Sequence, residues 1–197
     1  FTSRFTEAQR NMALSQFRMK KFMYLFNVFF DTNRSGTIDK KDFDMATENI
    51  CKVRGWKKGD PQYEKTKTVL NNVWIGLQAK ADADNDQQVT NEEWCKMWEE
   101  YSRNPKSVLD WQLQFRDFMF DLEDTSGDGA IDEEEFAMIC SSYNVPEQNA
   151  RDAFRKFSRN GTLEITREKF GELWVEYFAS EDPSAPGNFI FGVTKFE

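Results

Sequence analysis

The sequence predicts an all-α fold of four helix–loop–helix units, arranged in two pairs and packed into one compact globule. Two observations support this fold class. Polar loops with the same internal spacing recur along the chain, and the segments around them place apolar residues at i, i+3, i+4 and i+7, which is one face of a helix. Aromatic residues make up 15% of the 197 residues, enough to build a sizeable core.

The loops alternate oxygen-bearing side chains, and this pattern predicts cation binding. The three most similar stretches read "DTNRSGTIDKKDF", "DADNDQQVTNEEW" and "DTSGDGAIDEEEF". Carboxylates a few ångströms apart repel each other unless a counter-charge joins them. In an EF-hand, a loop of about twelve residues supplies oxygens to Ca²⁺ from positions 1, 3, 5, 7, 9 and 12, with glycine favoured at position 6. The stretches match this pattern, so we interpret them as EF-hand loops.

The first loop, 31–42, carries a complete ligand set with a short acid at position 12. The predicted ligands are Asp31, Asn33, Ser35, Thr37, Asp39 and Asp42. Asp42 is one methylene shorter than Glu, so bidentate coordination requires the exiting helix to move inward. A monodentate contact suits a smaller, six-coordinate ion, and we expect this loop to admit Mg²⁺ most readily.

The second loop, 82–93, combines a high negative charge with an unfavourable turn residue. The predicted ligands are Asp82, Asp84, Asp86, Gln88, Thr90 and Glu93. Gln87 stands at position 6 in place of glycine. If its φ is positive, we expect a strain of about 1 kcal/mol.

The third loop, 124–135, fits the pattern at every position. The predicted ligands are Asp124, Ser126, Asp128, Ala130 through its backbone carbonyl, Asp132 and Glu135. Gly129 occupies position 6. The simpler interpretation, an acidic surface turn before a helix, does not account for a glycine and a closing acid at these positions.

The fourth loop, 158–169, keeps only the apolar frame. Ile165 and Phe170 align with the corresponding residues of the other loops, but Ser158 stands at position 1 and Lys169 at position 12. An ammonium group at position 12 repels a cation. We therefore expect this loop to bind no ion and to serve as the partner of the third.

Pairing of the loops predicts the domain organisation. A short antiparallel β ladder should join each pair, with Ile38 facing Val89 and Ile131 facing Ile165. The predicted segments are an N-terminal extension (1–14), EF-hand pair one (15–104), EF-hand pair two (105–178) and a C-terminal tail (179–197) that packs between the lobes. The alternative for the tail is a disordered terminus.

Composition excludes several classes of function. A net charge of −8 and a pI near 4.8 argue against nucleic acid and anionic membranes as partners. The chain has no histidine, which removes the usual general base, the histidine-dependent nucleophile systems and histidine zinc sites. The acids lie in cation-loop register, so we predict no catalytic residues and no enzyme activity. The three cysteines suggest reduced thiols in the cytosol.

The chain shows a family resemblance in three features. These are four hands with a degenerate fourth, the stretch "EEWCKMW" and the tail "GNFIFG". From about residue 14 to its end, it resembles the invertebrate sarcoplasmic calcium-binding proteins, and among them the calexcitin subgroup. The resemblance implies a compact globule of two EF-hand pairs, cytosolic calcium buffering and, for the neuronal branch, signalling.

These observations predict a cytoplasmic, monomeric Ca²⁺-binding protein with three functional sites, acting as a Ca²⁺ and Mg²⁺ buffer. The alternative is a calexcitin-like sensor that changes conformation and engages a target protein. Sensors favour flexible methionine-rich surfaces, whereas this chain has 19 Phe and 6 Trp against 7 Met. Stiff aromatic side chains favour the buffer. Calcium ions are the expected partner, without nucleic acid or membrane insertion.

Overall fold

The computed structural model describes residues 15–196, so the N-terminal extension (1–14) and residue 197 lie outside the described part. Eight α-helices and two short strands form this part, which confirms the all-α fold class with its small ladder. The helices are α1 Gln16–Leu25, α2 Lys40–Arg54, α3 Pro61–Ala81, α4 Asn91–Arg103, α5 Asp110–Glu123, α6 Glu133–Ser142, α7 Glu147–Phe157 and α8 Arg167–Ala179. Among residues 15–196, we find no helix with the length and apolarity that a membrane span requires.

The first entering helix ends differently from the others. After α1 the chain continues as a π-helical turn, Phe26–Phe30, and the Asp31 N–H donates to the Phe26 carbonyl (2.8 Å). At the next loop, the Asp82 N–H donates to the Gln78 carbonyl (3.0 Å), four residues back as in an α-helix. The wider turn inserts one extra residue before the first loop, at the kind of place where such turns occur in functional sites.

Each exiting helix of the first three hands begins with a capping box made by its own loop. The side chains at positions 9 and 12 exchange hydrogen bonds with the backbone at the helix start. The pairs are Asp39 with Asp42, Thr90 with Glu93, and Asp132 with Glu135. The predicted ligands therefore also define where the exiting helices start.

Two antiparallel contacts join the loops in pairs, as the sequence predicts. Ile38 and Val89 exchange backbone hydrogen bonds of 3.0 and 2.9 Å in an isolated bridge. Strands β1 (Ala130–Ile131) and β2 (Ile165–Thr166) pair with Ile131 opposite Ile165. Both predicted pairings are confirmed.

One hydrophobic cluster includes residues from all eight helices, so the two EF-hand pairs share a core. Trp98 of α4 stacks on Phe178 of α8 with ring centroids 3.8 Å apart. Phe30 of the first hand meets Phe115 of α5 at 4.9 Å. Aromatic pairs of this kind stabilise the fold beyond the area they bury, and here they join the two pairs.

The C-terminal tail lies against this core. A single 3₁₀ turn, Pro186–Phe189, is followed by Ile190 and Phe191, and the side chains of Phe189, Ile190 and Phe191 are buried. The Phe191 ring lies 5.1 Å from that of Phe29 and 4.7 Å from that of Tyr177. The tail thus contacts both the first and the fourth hand.

Lys21 of α1 fastens the tail to the end of α8. The side chain is fully buried, and its ammonium donates to the carbonyls of Tyr177 and Ser180 (2.8 Å for the latter) and to Asn188 Oδ1 (3.0 Å). The three donors of the ammonium are thereby satisfied. The contacts to Tyr177 and Ser180 satisfy carbonyls that the helix end leaves without partners.

Candidate metal centres

The first loop folds around the carboxylate of Asp31. The N–H groups of Ser35 and Gly36 donate to its two oxygens at 2.8 and 2.9 Å. At the other end of the loop, Asp42 accepts from Asn33 N–H (3.0 Å) and Asp39 N–H (2.8 Å). Backbone amides therefore orient the acids at positions 1 and 12.

The environment of Asp42 favours a cation. Burial raises the pKa of its carboxyl, and the charges of Asp39 and Asp31 act in the same direction, against the two backbone hydrogen bonds. A nearby divalent cation would remove this electrostatic penalty.

The second loop brings three carboxylates together. Asp82, Asp84 and Asp86 can place one oxygen each within 4.8 Å of the others. Hard oxygen ligands at this spacing suit Ca²⁺ or Mg²⁺. Gln87 has a φ of 67°, so the condition under which the sequence predicts strain at this residue is met.

The acid that closes the second loop is stabilised in its charged form. Glu93 accepts hydrogen bonds from Ala83 N–H (2.8 Å) and Thr90 N–H (2.9 Å). Burial raises the pKa of Glu93, but these hydrogen bonds outweigh it, and the pKa lies below its usual value. The carboxylate is therefore ready to coordinate a cation at neutral pH.

The third loop repeats the arrangement of the first. Asp124 accepts from Gly127 N–H (2.9 Å) and Gly129 N–H (3.2 Å), and Glu135 accepts from Ser126 N–H (2.7 Å) and Asp132 N–H (3.0 Å). The same two positions are thus fixed by backbone amides as in loop one.

A left-handed backbone at positions 4 and 6 is common to the three loops. The residues are Arg34 and Gly36, Asn85 and Gln87, and Gly127 and Gly129, with φ between 59° and 93°. Sequence reasoning identified position 6 and missed position 4, where only Asn85 and Gly127 are of a type that favours this conformation.

The fourth loop has a different backbone. Its left-handed residues are Arg159, Asn160 and Gly161, at positions 2, 3 and 4. The Lys169 ammonium contacts Glu172 on its own helix, and Ser158 is fully buried with its hydroxyl accepting from Gly161 N–H (3.0 Å). This loop brings no acids together at positions 1 and 12.

Backbone amides hold the acids at positions 1 and 12 in each of the first three loops. Among residues 15–196, Asp82, Asp84 and Asp86 are the one group of three acids close enough to share an ion. The predicted ligands of the three loops offer carboxylate, hydroxyl, amide and backbone carbonyl oxygens, a set that suits a hard divalent cation. Coordination by these residues stays a prediction.

Comparison with known proteins gives a consistent relationship. No family model matches the chain. Calexcitin-1 of Caenorhabditis elegans is 29% identical over 192 residues, which cover 95% of this chain and 92% of the relative. Sarcoplasmic calcium-binding proteins I, III and IV of Branchiostoma lanceolatum are 28% identical over 182 residues, which cover 91% and 98%. The chain is a homologue of these proteins.

A solved structure supports the same relationship. The sarcoplasmic calcium-binding protein from amphioxus superposes with a TM-score of 0.75 at 25% identity, covering 91% of this chain and 98% of that one. The predicted resemblance to the sarcoplasmic calcium-binding proteins and calexcitin is confirmed, and the helix–loop–helix units are EF-hands.

Two features near the loops were not found from the sequence. Arg54, the last residue of α2, donates a hydrogen bond to the Thr125 hydroxyl at position 2 of the third loop. Glu123, just before this loop, is buried, and burial raises its pKa well above the usual value. Neither feature has a local signal, because both depend on how the hands pack.

Proposed function

We propose that this EF-hand protein binds Ca²⁺ at three loops and acts as a cytosolic Ca²⁺ buffer that also admits Mg²⁺. The observation that carries the proposal is the shared geometry of loops one, two and three. Each has acids at positions 1 and 12 held by backbone amides and left-handed residues at positions 4 and 6. The fourth loop has no acid at position 1 or 12, and its backbone is left-handed at positions 2, 3 and 4 but not at position 6.

The names of the relatives support the calcium ligand. Calexcitin-1 matches over nearly the whole chain, and the amphioxus relatives are named as calcium-binding proteins, not as enzymes. A cytosolic location agrees with three free cysteines at positions 51, 95 and 140, because thiols persist in reducing compartments.

The tail favours a buffer over a sensor. A sensor exposes a hydrophobic groove when its hands open and offers it to a target helix. Here Phe191 packs between Phe29 of the first hand and Tyr177 of the fourth, and the Tyr24 hydroxyl donates to its carbonyl (2.9 Å). Residues of the chain itself occupy the surface that a target would need.

Calorimetric titration with Ca²⁺ tests the number of sites. We expect three ions per chain, and no change for Lys169→Ala, because an ammonium at position 12 does not coordinate a cation. The matched variant Glu135→Gln should lose one ion. Four ions in the intact protein, or a loss of binding in Lys169→Ala, would contradict the proposal.

Repeating the titration in millimolar Mg²⁺ tests the buffer's ion preference. Asp42 is the shortest of the three acids at position 12, so the first loop should show the strongest competition. The amide of Gly36 reports on this loop by NMR, since it donates to Asp31. Indifference of the Gly36 signal to Mg²⁺ would contradict the assignment.

Truncation after Asp182 tests the buffer against the sensor. Removing the tail should increase binding of a hydrophobic dye in Ca²⁺, because Phe29 and Tyr177 lose their cover. Truncation after Phe196 keeps the apolar residues that pack on Tyr177 and Tyr24, and it serves as control. If the intact protein binds as much dye as the Asp182 truncation, the sensor becomes the better interpretation.

A further inference from the structure

The third loop differs from the first in its charge. Residues 124–135 contain carboxylates and no basic side chain, and the acids are Asp124, Asp128, Asp132, Glu133, Glu134 and Glu135. The first loop instead contains three basic residues of its own, Arg34, Lys40 and Lys41. Any neutralisation of the metal-free third loop must therefore come from other segments.

Two arginines of α7 pair with acids of this loop that are not predicted ligands. Arg151 contacts Glu134 (2.6 Å), and Arg155 contacts Glu133 (2.7 Å). These acids stand at positions 10 and 11, which do not supply calcium ligands. The α7 arginines therefore need not move when an ion binds.

A third arginine, Arg54, approaches the loop from the first hand. Its Nη1 donates to the Thr125 hydroxyl at position 2, and its guanidinium lies over the Trp56 ring, 4.9 Å from the centroid. Burial lowers the pKa of Arg54, and the charge of Glu135 at position 12 opposes this. Thr125 directly follows Asp124, the predicted ligand at position 1, so the guanidinium lies beside the start of the third loop.

The position of Arg54 is set by helix α2. The helix ends at Arg54 because Gly55 takes a left-handed conformation (φ 71°). A cation–π contact with Trp56 limits the freedom of the side chain. The charge is therefore positioned by α2 and the residues that follow it, and not by the third loop's own conformation.

We propose that Arg54 is an affinity-determining residue of the third calcium site, where its charge stabilises the metal-free loop and opposes the incoming cation. The inference rests on the proposed function. A unit charge about 10 Å from a divalent ion in a water-like medium changes the affinity roughly two- to fivefold. Arg54 thereby shifts the third site towards faster release of its ion.

Three variants test this inference. Arg54→Gln removes the charge, Arg54→Lys keeps the charge without the guanidinium, and Lys52→Gln makes the same net-charge change at an exposed residue of the same helical turn. The Gly129 amide, which donates to Asp124, reports occupancy of the third loop by NMR during Ca²⁺ titration. The Gly36 amide reports the first loop in the same spectra.

We expect Arg54→Gln to raise the affinity at Gly129 roughly two- to fivefold, with no change at Gly36. Arg54→Lys and Lys52→Gln should stay near the original affinity. In chelator, Arg54→Gln should melt at a lower temperature than the original protein, because the acids of the metal-free loop lose a counter-charge. In Ca²⁺ the two should melt together.

Specific outcomes overturn the inference. If Gly129 titrates with Ca²⁺ but Arg54→Gln leaves its affinity unchanged or lowers it, Arg54 does not oppose the ion. If Arg54→Lys changes the Ca²⁺ affinity as much as Arg54→Gln does, the affinity depends on the guanidinium contact and not on the charge. If Gly129 does not respond to Ca²⁺ in the original protein, the third site itself fails, and the proposed function fails with it.

Discussion

Gln87 is a non-glycine residue in a conformation that favours glycine. Its φ of 67° lies in the left-handed region. Gln87→Gly should raise the free energy of unfolding of the metal-free protein by about 0.5–1 kcal/mol. The variant relieves the backbone strain, and the greater conformational entropy of glycine in the unfolded state offsets part of this gain. Urea unfolding in chelator measures the change. The neighbouring Gln88→Gly, which relieves no such strain, should destabilise; stabilisation by both would contradict the explanation.

Lys21 makes the most buried charged contact between the tail and the helices. Lys21→Met should lower the free energy of unfolding by about 1–3 kcal/mol at neutral pH, because carbonyls of Tyr177 and Ser180 and the amide of Asn188 lose their donor. The matched control Lys20→Met changes an exposed neighbour. Equal effects of the two variants would show that the buried contacts contribute nothing.

The same lysine predicts a pH dependence. Burial lowers the pKa of Lys21 from 10.5 to about 8. Between these values the unfolded chain binds more protons than the folded protein, so the contribution of Lys21 to stability rises with pH. Above pH 8, the free energy of unfolding of the original protein should rise relative to that of Lys21→Met by up to about 1.4 kcal/mol per pH unit. Urea unfolding in Ca²⁺ at roughly pH 7.5 and 9.5 measures this gain; a gap that does not change with pH would contradict it.

At the scale of helices, Gly76 allows α3 and α5 to approach closely. A Cβ built on Gly76 would lie 2.4 Å from Trp111 Cβ. The backbone of α5 fixes the position of this atom, so a change of rotamer cannot move it away. Gly76→Ala should therefore destabilise the protein by about 1–3 kcal/mol. Gly171 of α8 is a matched control, since its nearest contact would be 3.7 Å from the flexible Arg116 guanidinium. Gly171→Ala should instead stabilise by up to about 1 kcal/mol.

Thermal melting of both variants in Ca²⁺ measures these changes. Opposite signs are the expected result. If Gly76→Ala were as stable as Gly171→Ala, the helices would not be held at the distance that the structure shows.

Which parts of the fold the sequence predicts depends on how local their causes are. The position of Asp124 relative to Gly129 and Glu135 is set within one loop, so spacing alone predicts it. The pairing of Ile131 with Ile165 follows from the same register. The contact of Arg54 with Thr125 joins two different EF-hands, and the sequence near either residue does not predict it. The left-handed Arg34 at position 4 was missed because its residue type disfavours that conformation.

For the whole molecule, metal removal should loosen the fold. Without ions, the acids of three loops repel one another, while binding to the folded state alone stabilises it by mass action. A hundredfold excess of Ca²⁺ over the dissociation constant should raise the melting temperature by about 5–10 °C per site. Melting in chelator and in Ca²⁺ measures the shift, and identical temperatures would contradict it. Added salt should stabilise the metal-free form, because it screens the repulsion.

The bonds from Lys21 to Asn188 and from Tyr24 to Phe191 join segments 167 residues apart. A ribosome synthesises the chain from its N-terminus at about 5–20 residues per second, so the tail residues that contact α1 are made roughly 10–30 s after α1 itself. During that time the buried face of α1 has no tail to cover it. Nascent chains that have not yet reached Asn188 therefore expose apolar surface, and they are the form of this protein that chaperones should bind.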